Sequence, residues 1–328
     1  MWLPRMGADL KFWAMGQRMS IGGIDIVTLA AMLMAASTPV LLAATGELVA
    51  EKSGVLNLGV EGMMIMGAVA GFAAAVATGS PVLGFVAGAL AGALMATLFA
   101  FLTQIFLSNQ VATGLALTLF GLGLSALIGK GYEGVRPPPT AKLDFGPLAD
   151  IPVIGPIFFS HDWIVYASLL LVAVVWFVLR YTRAGLILRA VGESHDAAHA
   201  LGYRVVAVRF AALGFGGALA GLGGAYLSLV RVPQWTEGMT AGAGWIALAI
   251  VVFASWRPWR VLLGAYMFGG ITALQLQLQA AGYAIPVHIL SMAPYVITIV
   301  VLVILSALHR HGVQAAPASL GKSFHASS

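Results

Sequence analysis

Cysteine is absent from this chain of 328 residues, which excludes a disulfide framework, a thiol nucleophile and a thiolate metal site. Charge is scarce as well. Asp, Glu, Lys and Arg make up 9% of the residues, where a soluble domain carries about 25%. So few charges cannot cover the surface of a soluble protein this long, and soluble enzymes and nucleic-acid binders are excluded. What is present instead is apolar: 60% of the residues are hydrophobic, 40 more are glycine, and the mean hydropathy is +0.95. The chain is a polytopic integral membrane protein, and its net charge of +5 reads as loop bias rather than as a nucleic-acid footprint.

About 20 apolar residues are needed to cross the hydrocarbon core. Such runs fall near 24–44, 61–78, 83–107, 110–129, 163–180, 210–230, 240–256, 261–280 and 291–308. None alternates polar and apolar residues as a barrel strand does. The expected fold is an all-α bundle of about 8–10 transmembrane helices over 24–308, with a polar or interfacial segment at 1–23 and a polar tail at 309–328. Glycines recur at four-residue spacing in Gly67/Gly71, Gly84/Gly88/Gly92 and Gly217/Gly221. That spacing serves close backbone approach between membrane helices, with a gating hinge as the other reading.

Positive charge sets orientation. The segment 181–209 with Arg180 at its edge, the turn at Arg257 and Arg260, and the tail with Arg310 and Lys322 together hold nine positives. The opposite loops hold Lys130, Arg136, Lys142 and Arg231, balanced by Glu133, Asp144, Asp150, Asp162 and Glu237. This predicts a cytoplasmic 181–209 loop and C-terminus and an external, Pro-rich 130–162 loop. Counting back puts the N-terminus outside, against the bias of Arg5, Lys11 and Arg18. A start at Met19 or an interfacial N-terminal helix would reconcile the two. No small-residue cleavage site follows a short apolar core, so a signal peptide is not expected.

The stretch Thr45–Glu61 places Glu47, Glu51, Lys52 and Glu61 between two apolar runs, with Gly46, Gly54 and Gly59 expected to interrupt the helix. Four ionised residues facing lipid would cost roughly 10–14 kcal/mol. They must face protein, a wet cavity or the interface. Broken helices lining a pathway are one such arrangement, and an ordinary polar loop is the other. Glu47, Asn57 and Glu61 are therefore candidates for a translocation path. So are the uncharged amides Asn109, Gln110 and Gln275, which can donate and accept hydrogen bonds to a neutral polar solute but also serve as interhelical glue. Gln275 and Gln279 share a helix face; Gln277 points elsewhere.

In the Arg-rich loop, Ser194 is a candidate N-cap, Asp196 sits near the positive helix end, and Gly202 is a C′ stop. The spacing predicts a two-turn helix from His195 to Leu201, with Ala197, Ala198 and Leu201 on one small apolar side. Two turns do not hold themselves helical in water, so this element needs a surface, either its own bundle or a partner's groove. Three other motifs are incomplete. His195-Asp-Ala-Ala-His199 lacks the Glu that a zinc protease helix carries after its first His. Gly123-Leu-Ser-Ala126 lacks a second Gly and a His partner for Ser125. Gly321-Lys322-Ser323 ends like a phosphate loop, but Ala316 stands where the first Gly is required. No nucleotide-binding site is expected in this chain, and if transport is driven by ATP another polypeptide must bind it.

Gly46-Glu47, Ser53-Gly-Val-Leu-Asn-Leu-Gly-Val-Glu-Gly-Met63, Arg189-Ala-Val-Gly-Glu193 with Ala197-Ala198 and Gly202, and Gly242-Ala-Gly-Trp-Ile-Ala-Leu-Ala-Ile250 resemble one family. It is the permease family of bacterial ATP-binding-cassette (ABC) importers for simple sugars, nucleosides and branched-chain amino acids. The likeness runs from about 41 to 308 and is strongest to the shorter permease of nucleoside importers. It implies a type II importer bundle in the bacterial plasma membrane that binds no cofactor itself. Its implied partners are an ABC ATPase that holds the ATP, a second homologous permease and an extracytoplasmic lipoprotein that delivers substrate; nucleic acid is not among them. By position it puts Arg189, Gly192, Glu193, Ala197, Ala198 and Gly202 in the loop that meets the ATPase, and Asn57 and Glu61 beside the path. Ser194-His195-Asp196 departs from the Asn-Pro-like pair usual after the Glu, and Tyr203 stands where Ile or Val is usual. For a nucleoside, Trp235, Trp245 and the glutamines are stacking and hydrogen-bonding candidates. A self-sufficient secondary transporter coupled through 47–61, or a hydrolase built on Ser125 or the His195/His199 pair, would be the rival readings.

Overall fold

The computed structural model describes residues 20–21, 24–143, 145–282 and 316–325, with isolated positions 292, 296, 299, 300 and 303. The expected 291–308 span, the 1–19 segment and Arg310 lie outside the described residues.

Among the described residues, seven helices are long and apolar enough to cross a membrane. A two-residue ribbon, Ser20–Ile21 paired with Ile24–Asp25, precedes the first of them. Helix α1 runs Ile26–Lys52 and starts where the Asp25 carboxylate accepts from the Val27 amide. It is followed by α2 (Val60–Thr78) and by α3 (Pro81–Ala100), which is extended by a π-turn at Phe101–Ile105. Helix α4 spans Gln110–Gly129, and a short α5 (Ile154–Phe158) lies in the long loop before α6 (Trp163–Tyr181). Two surface helices, α7 (Arg183–Glu193) and α8 (His195–Ala200), lead into α9 (Val205–Tyr226), which ends in a second π-turn at Leu227–Arg231. Then come α10 (Ala243–Phe253) and α11 (Pro258–Ala280).

Two expectations are corrected. Gly46 does not interrupt a helix: α1 continues to Lys52, taking Glu47 and Glu51 with it, and the break is confined to Ser53–Gly59. Gly46 is needed instead for packing, because a Cβ there would press on the carbonyl oxygen of Gly216. The run 240–256 is not a span. Its helical part has 11 residues, about 16 Å of rise against a core of about 30 Å.

Helix α9 is the hub of the bundle. A Cβ at Gly67, Gly88 or Gly92 would meet the backbone of Gly217 or Gly221, so α2 and α3 lie backbone-to-backbone against α9. Bilayer lipid provides no hydrophobic force between helices, and this intimate packing supplies dispersion contact instead. Its outer surface is what lipid requires: Leu90, Leu94, Leu119 and Leu127 are exposed apolar side chains.

Candidate functional site

The structure brings together three parts at one end of the bundle: the α1–α2 break, the α7–α8 surface helices and the tail 316–325. A fourth part, α10, joins them to the interior.

At the break, three carboxylates are buried, each in its own setting. Glu47 accepts a hydrogen bond from Asn57 Nδ2 at 3.1 Å, while Asn57 Oδ1 accepts from the Gly59 amide at 3.1 Å. Glu51 accepts from Trp256 Nε1. One oxygen of Glu47 and one of Glu51 have no protein donor. Glu61 is the best satisfied. Thr240 Oγ1 at 2.5 Å and the Gly242 amide at 2.9 Å donate to one of its oxygens, and the Gly244 amide at 2.7 Å donates to the other. These donors lie at and just before the N-terminus of α10, whose N-cap is Gly242. The chain leaves α9 at the far end, dips inward through 232–242, and starts α10 inside the bundle on a carboxylate from α2. Orphan amides at a helix start need an acceptor, and the helix dipole favours an anion there. This half-length helix therefore begins on a protein carboxylate, with the Thr240 side chain and Gly244 buried against Glu61.

The remaining path candidates are spread out. Gln110 is buried, and its Oε1 accepts from the Leu56 amide at 2.8 Å, bracing the break. Asn109 is exposed and caps α4 by accepting from the Ala112 amide. Trp245, on the first turn of α10, is 46% exposed. Gln275 is half-buried on α11, and Trp235 is buried with its indole against Gly129. Ser125 is buried and donates to the Leu122 carbonyl of its own helix.

In the Arg-rich loop the caps fall where expected. Ser194 Oγ accepts from the Ala197 amide at 3.3 Å, and Gly202 adopts a left-handed φ of 87°. The expected single apolar side of α8 is divided, however. Ala198 packs inward against Val191, Val205 and Phe324, whereas Ala197 and Leu201 face outward, Leu201 at 75% exposure. A six-residue helix presents both groups at once because its 100° step places Ala197 and Ala198 on different sides. Arg189, Glu193 and Gly202 are exposed as well; Gly192 is buried against the Lys52 carbonyl, where no Cβ fits.

Two features of this end escaped the sequence reading. The tail, expected to be a polar appendage, is docked. The Ser319 amide donates to the Gly192 carbonyl and the Gly321 amide to the Gly54 carbonyl. Phe324 is buried with the rings of His195 and His199 edge-on to it at 5.4 and 5.2 Å. Arg209, counted above only as a loop cation, is fully buried beneath the tail. It donates to the carbonyls of Ser53 and Lys322, to Gln104 Oε1 and, at 3.3 Å, to His195 Nδ1. Burial and the adjacent Arg209 charge hold the His195 pKa below its ordinary value. Neutral imidazole suits the geometry, with Nδ1 accepting from Arg209 and Nε2 turned 3.5 Å from the Asp196 carboxylate. The tail's place was unreadable because Ser, Gly and Lys carry no hydropathy signal.

At the far end, a cavity of about 700 Å³ opens between Arg136, the run Pro137–Pro139, Lys142, Asp162 and the 229–234 segment. Asp162 caps α6 and accepts from the Tyr226 hydroxyl at 3.0 Å. Positively charged 181–209 and balanced 130–162 thus lie at opposite ends.

Residues 29–307 match the family described as the permease component of branched-chain amino acid transport systems. The chain is 45% identical over 254 residues to a Haloferax volcanii protein provisionally named the glucose ABC transporter permease TsgC13, covering 76% of this chain and 77% of the relative. It is 34% identical over 299 residues to the guanosine ABC transporter permease NupQ of Bacillus subtilis, covering 85% and 93%. It is also 34% identical over 279 residues to the nucleoside ABC transporter permease NupC of Lactococcus lactis, covering 81% and 88%. No solved structure matches the chain. The chain belongs to this permease family: it is a multi-pass transport subunit of an ABC importer, not an enzyme, and ATP is hydrolysed on a separate subunit.

Proposed function

We propose that this permease carries a nucleoside across the bacterial plasma membrane, paired with a second homologous permease and supplied by an extracytoplasmic lipoprotein. The α7–α8 surface is the seat of the ATPase, with Arg189, Glu193, Ala197, Leu201 and Gly202 on its outer side. The C-terminus shares that cytoplasmic side, and the Pro-rich mouth at Arg136–Lys142 meets the delivery protein.

One observation carries this reading: an exposed apolar Leu201 on a capped helix whose other side packs on Val191, Val205 and Phe324 and meets, through His195, the Arg209 that donates to Ser53 of the α1–α2 break. A push on α8 reaches Gly192 and then the end of α1, with which it is in backbone contact. From there Glu61 leads to the start of α10. Glu47, Asn57, Glu61 and Gln110 serve the path as positioning groups that hold the broken segment. Asn109, Trp245 and Gln275 are the candidates to meet solute directly. A neutral, hydroxyl-bearing solute suits uncharged amides and an indole face.

The nucleoside reading rests on NupQ and NupC, each matched over most of its length. Glucose is the second reading, favoured by the 45% identity to TsgC13. The test is a mild-detergent pull-down of the tagged chain, with Glu193→Arg alongside, followed by competition between labelled guanosine and labelled glucose for uptake. The account expects an ATPase and a second permease with the parent, loss of the ATPase with the variant, and guanosine uptake that glucose does not compete. Glucose uptake would select the second reading. Transport by the chain alone would refute both.

A further inference from the structure

A second charged feature lies at the α7–α8 end and shares Arg189 and Lys52 with the coupling surface described above. A cavity of about 620 Å³ is walled by five cations, Lys52, Arg180, Arg189, Arg257 and Arg260, with no carboxylate on its wall. The ion pair found among the described residues is His195–Asp196, outside this cavity. Glu51 is engaged with the Trp256 indole, and Glu193, exposed on α7, acts on Lys52 from outside the wall. Five like charges around one space repel one another unless an anion compensates them.

The rest of the wall is Trp176, Trp256 and Trp259 with Leu179 and Pro258, and Tyr181 stands against Trp176. Trp176 and Trp259 meet at 5.9 Å, Trp176 and Tyr181 at 5.5 Å, and Trp256 closes the inner side. Tryptophan beside Arg and Lys is the mark of the membrane–water boundary. Beside the cavity, the apolar surfaces of Phe177 and Leu263 face outward at 54% and 66% exposure, as acyl chains require. The turn that carries Trp256 and Arg257 is built at a cost: Ser255 and Trp256 both take left-handed φ values, 50° and 53°, which non-glycine residues adopt only under constraint.

We propose that this cavity binds the phosphate headgroup of an anionic phospholipid, its acyl chains lying along Phe177 and Leu263. Basic pockets between membrane helices attract such headgroups, and the arginine fork suits a phosphodiester. The site goes beyond the transport reading and holds whichever side of the membrane this end faces.

The test uses the full-length chain purified with the subunits it carries, delipidated and titrated with phosphatidylglycerol or phosphatidylcholine under native mass spectrometry. The parent is expected to bind phosphatidylglycerol about tenfold more tightly. Arg257→Gln with Arg260→Gln should abolish that preference, and Arg257→Lys with Arg260→Lys should retain most of it, separating lost charge from lost folding. Excess inorganic phosphate should not displace the lipid. Equal binding of the two lipids, a preference unchanged in the glutamine variant, or displacement by phosphate would each overturn the proposal.

Discussion

The buried carboxylates at the break differ in what a proton's worth of change would do to them. Glu61 receives three donors on its two oxygens, so Glu61→Gln must turn an amide N–H₂ toward at least one of them. Loss of about 1–3 kcal/mol is expected, seen as a lower unfolding temperature by tryptophan fluorescence. Glu47 and Glu51 each accept one bond and leave one oxygen without a protein donor. Glu47→Gln and Glu51→Gln retain an acceptor for the one donor each receives, so their unfolding temperatures should stay close to the parent's. His195 behaves differently again. Its folded pKa lies below the ordinary value, so the undocked state takes up a proton first. Docking is complete above about pH 6.5 and weakens as pH falls below it, since imidazolium would face Arg209, Lys322 and His325 with only Asp196 in compensation. A fluorophore on His325→Cys, in a chain with no other cysteine, should become more mobile between pH 7.5 and 5.5. Unchanged mobility would separate His195 from tail docking. These residue roles were only partly legible in the sequence. Glu61 was marked by the cost of placing a carboxylate in an apolar run, but its partner, 179 positions away, was not.

At the level of elements, hydropathy located the long helices because lipid imposes one length and one surface on each. It misjudged 240–256, since an apolar run buried in protein has the same composition as one that spans. The α8 caps were readable because capping is local chemistry; the docked tail was not, because its bonds go to Gly54 and Gly192. That docking gives two expectations. Phe324→Ala should loosen the tail by about 2 kcal/mol, the order of burying one aromatic side chain. Faster hydrogen exchange over 191–205 and 316–325 would register it, with the spans unchanged. Gly192→Ala should separate α7 from the end of α1, because the new methyl occupies the place of the Lys52 carbonyl. We expect ATP hydrolysis to persist in that variant while uptake per ATP falls; equal losses of both would mean that Gly192 serves only packing.

At the scale of the whole molecule, the proposed mechanism is one mechanical line. A surface helix, a broken pair of spans and an internally capped half-helix are joined by backbone contacts and by Arg209, so movement at one end need not be absorbed by soft side chains. Its central claim is that the ATPase sits on the outer side of α8. A single cysteine at Leu201 tests this most directly, with one at Gln234, exposed at the opposite end, as the control. After treatment of membranes with a short thiol-to-amine cross-linker, the account predicts an adduct between Leu201→Cys and the ATPase, and none from Gln234→Cys. An adduct from Gln234→Cys alone, or no ATPase adduct from Leu201→Cys in membranes that still carry out ATP-driven uptake, would contradict it.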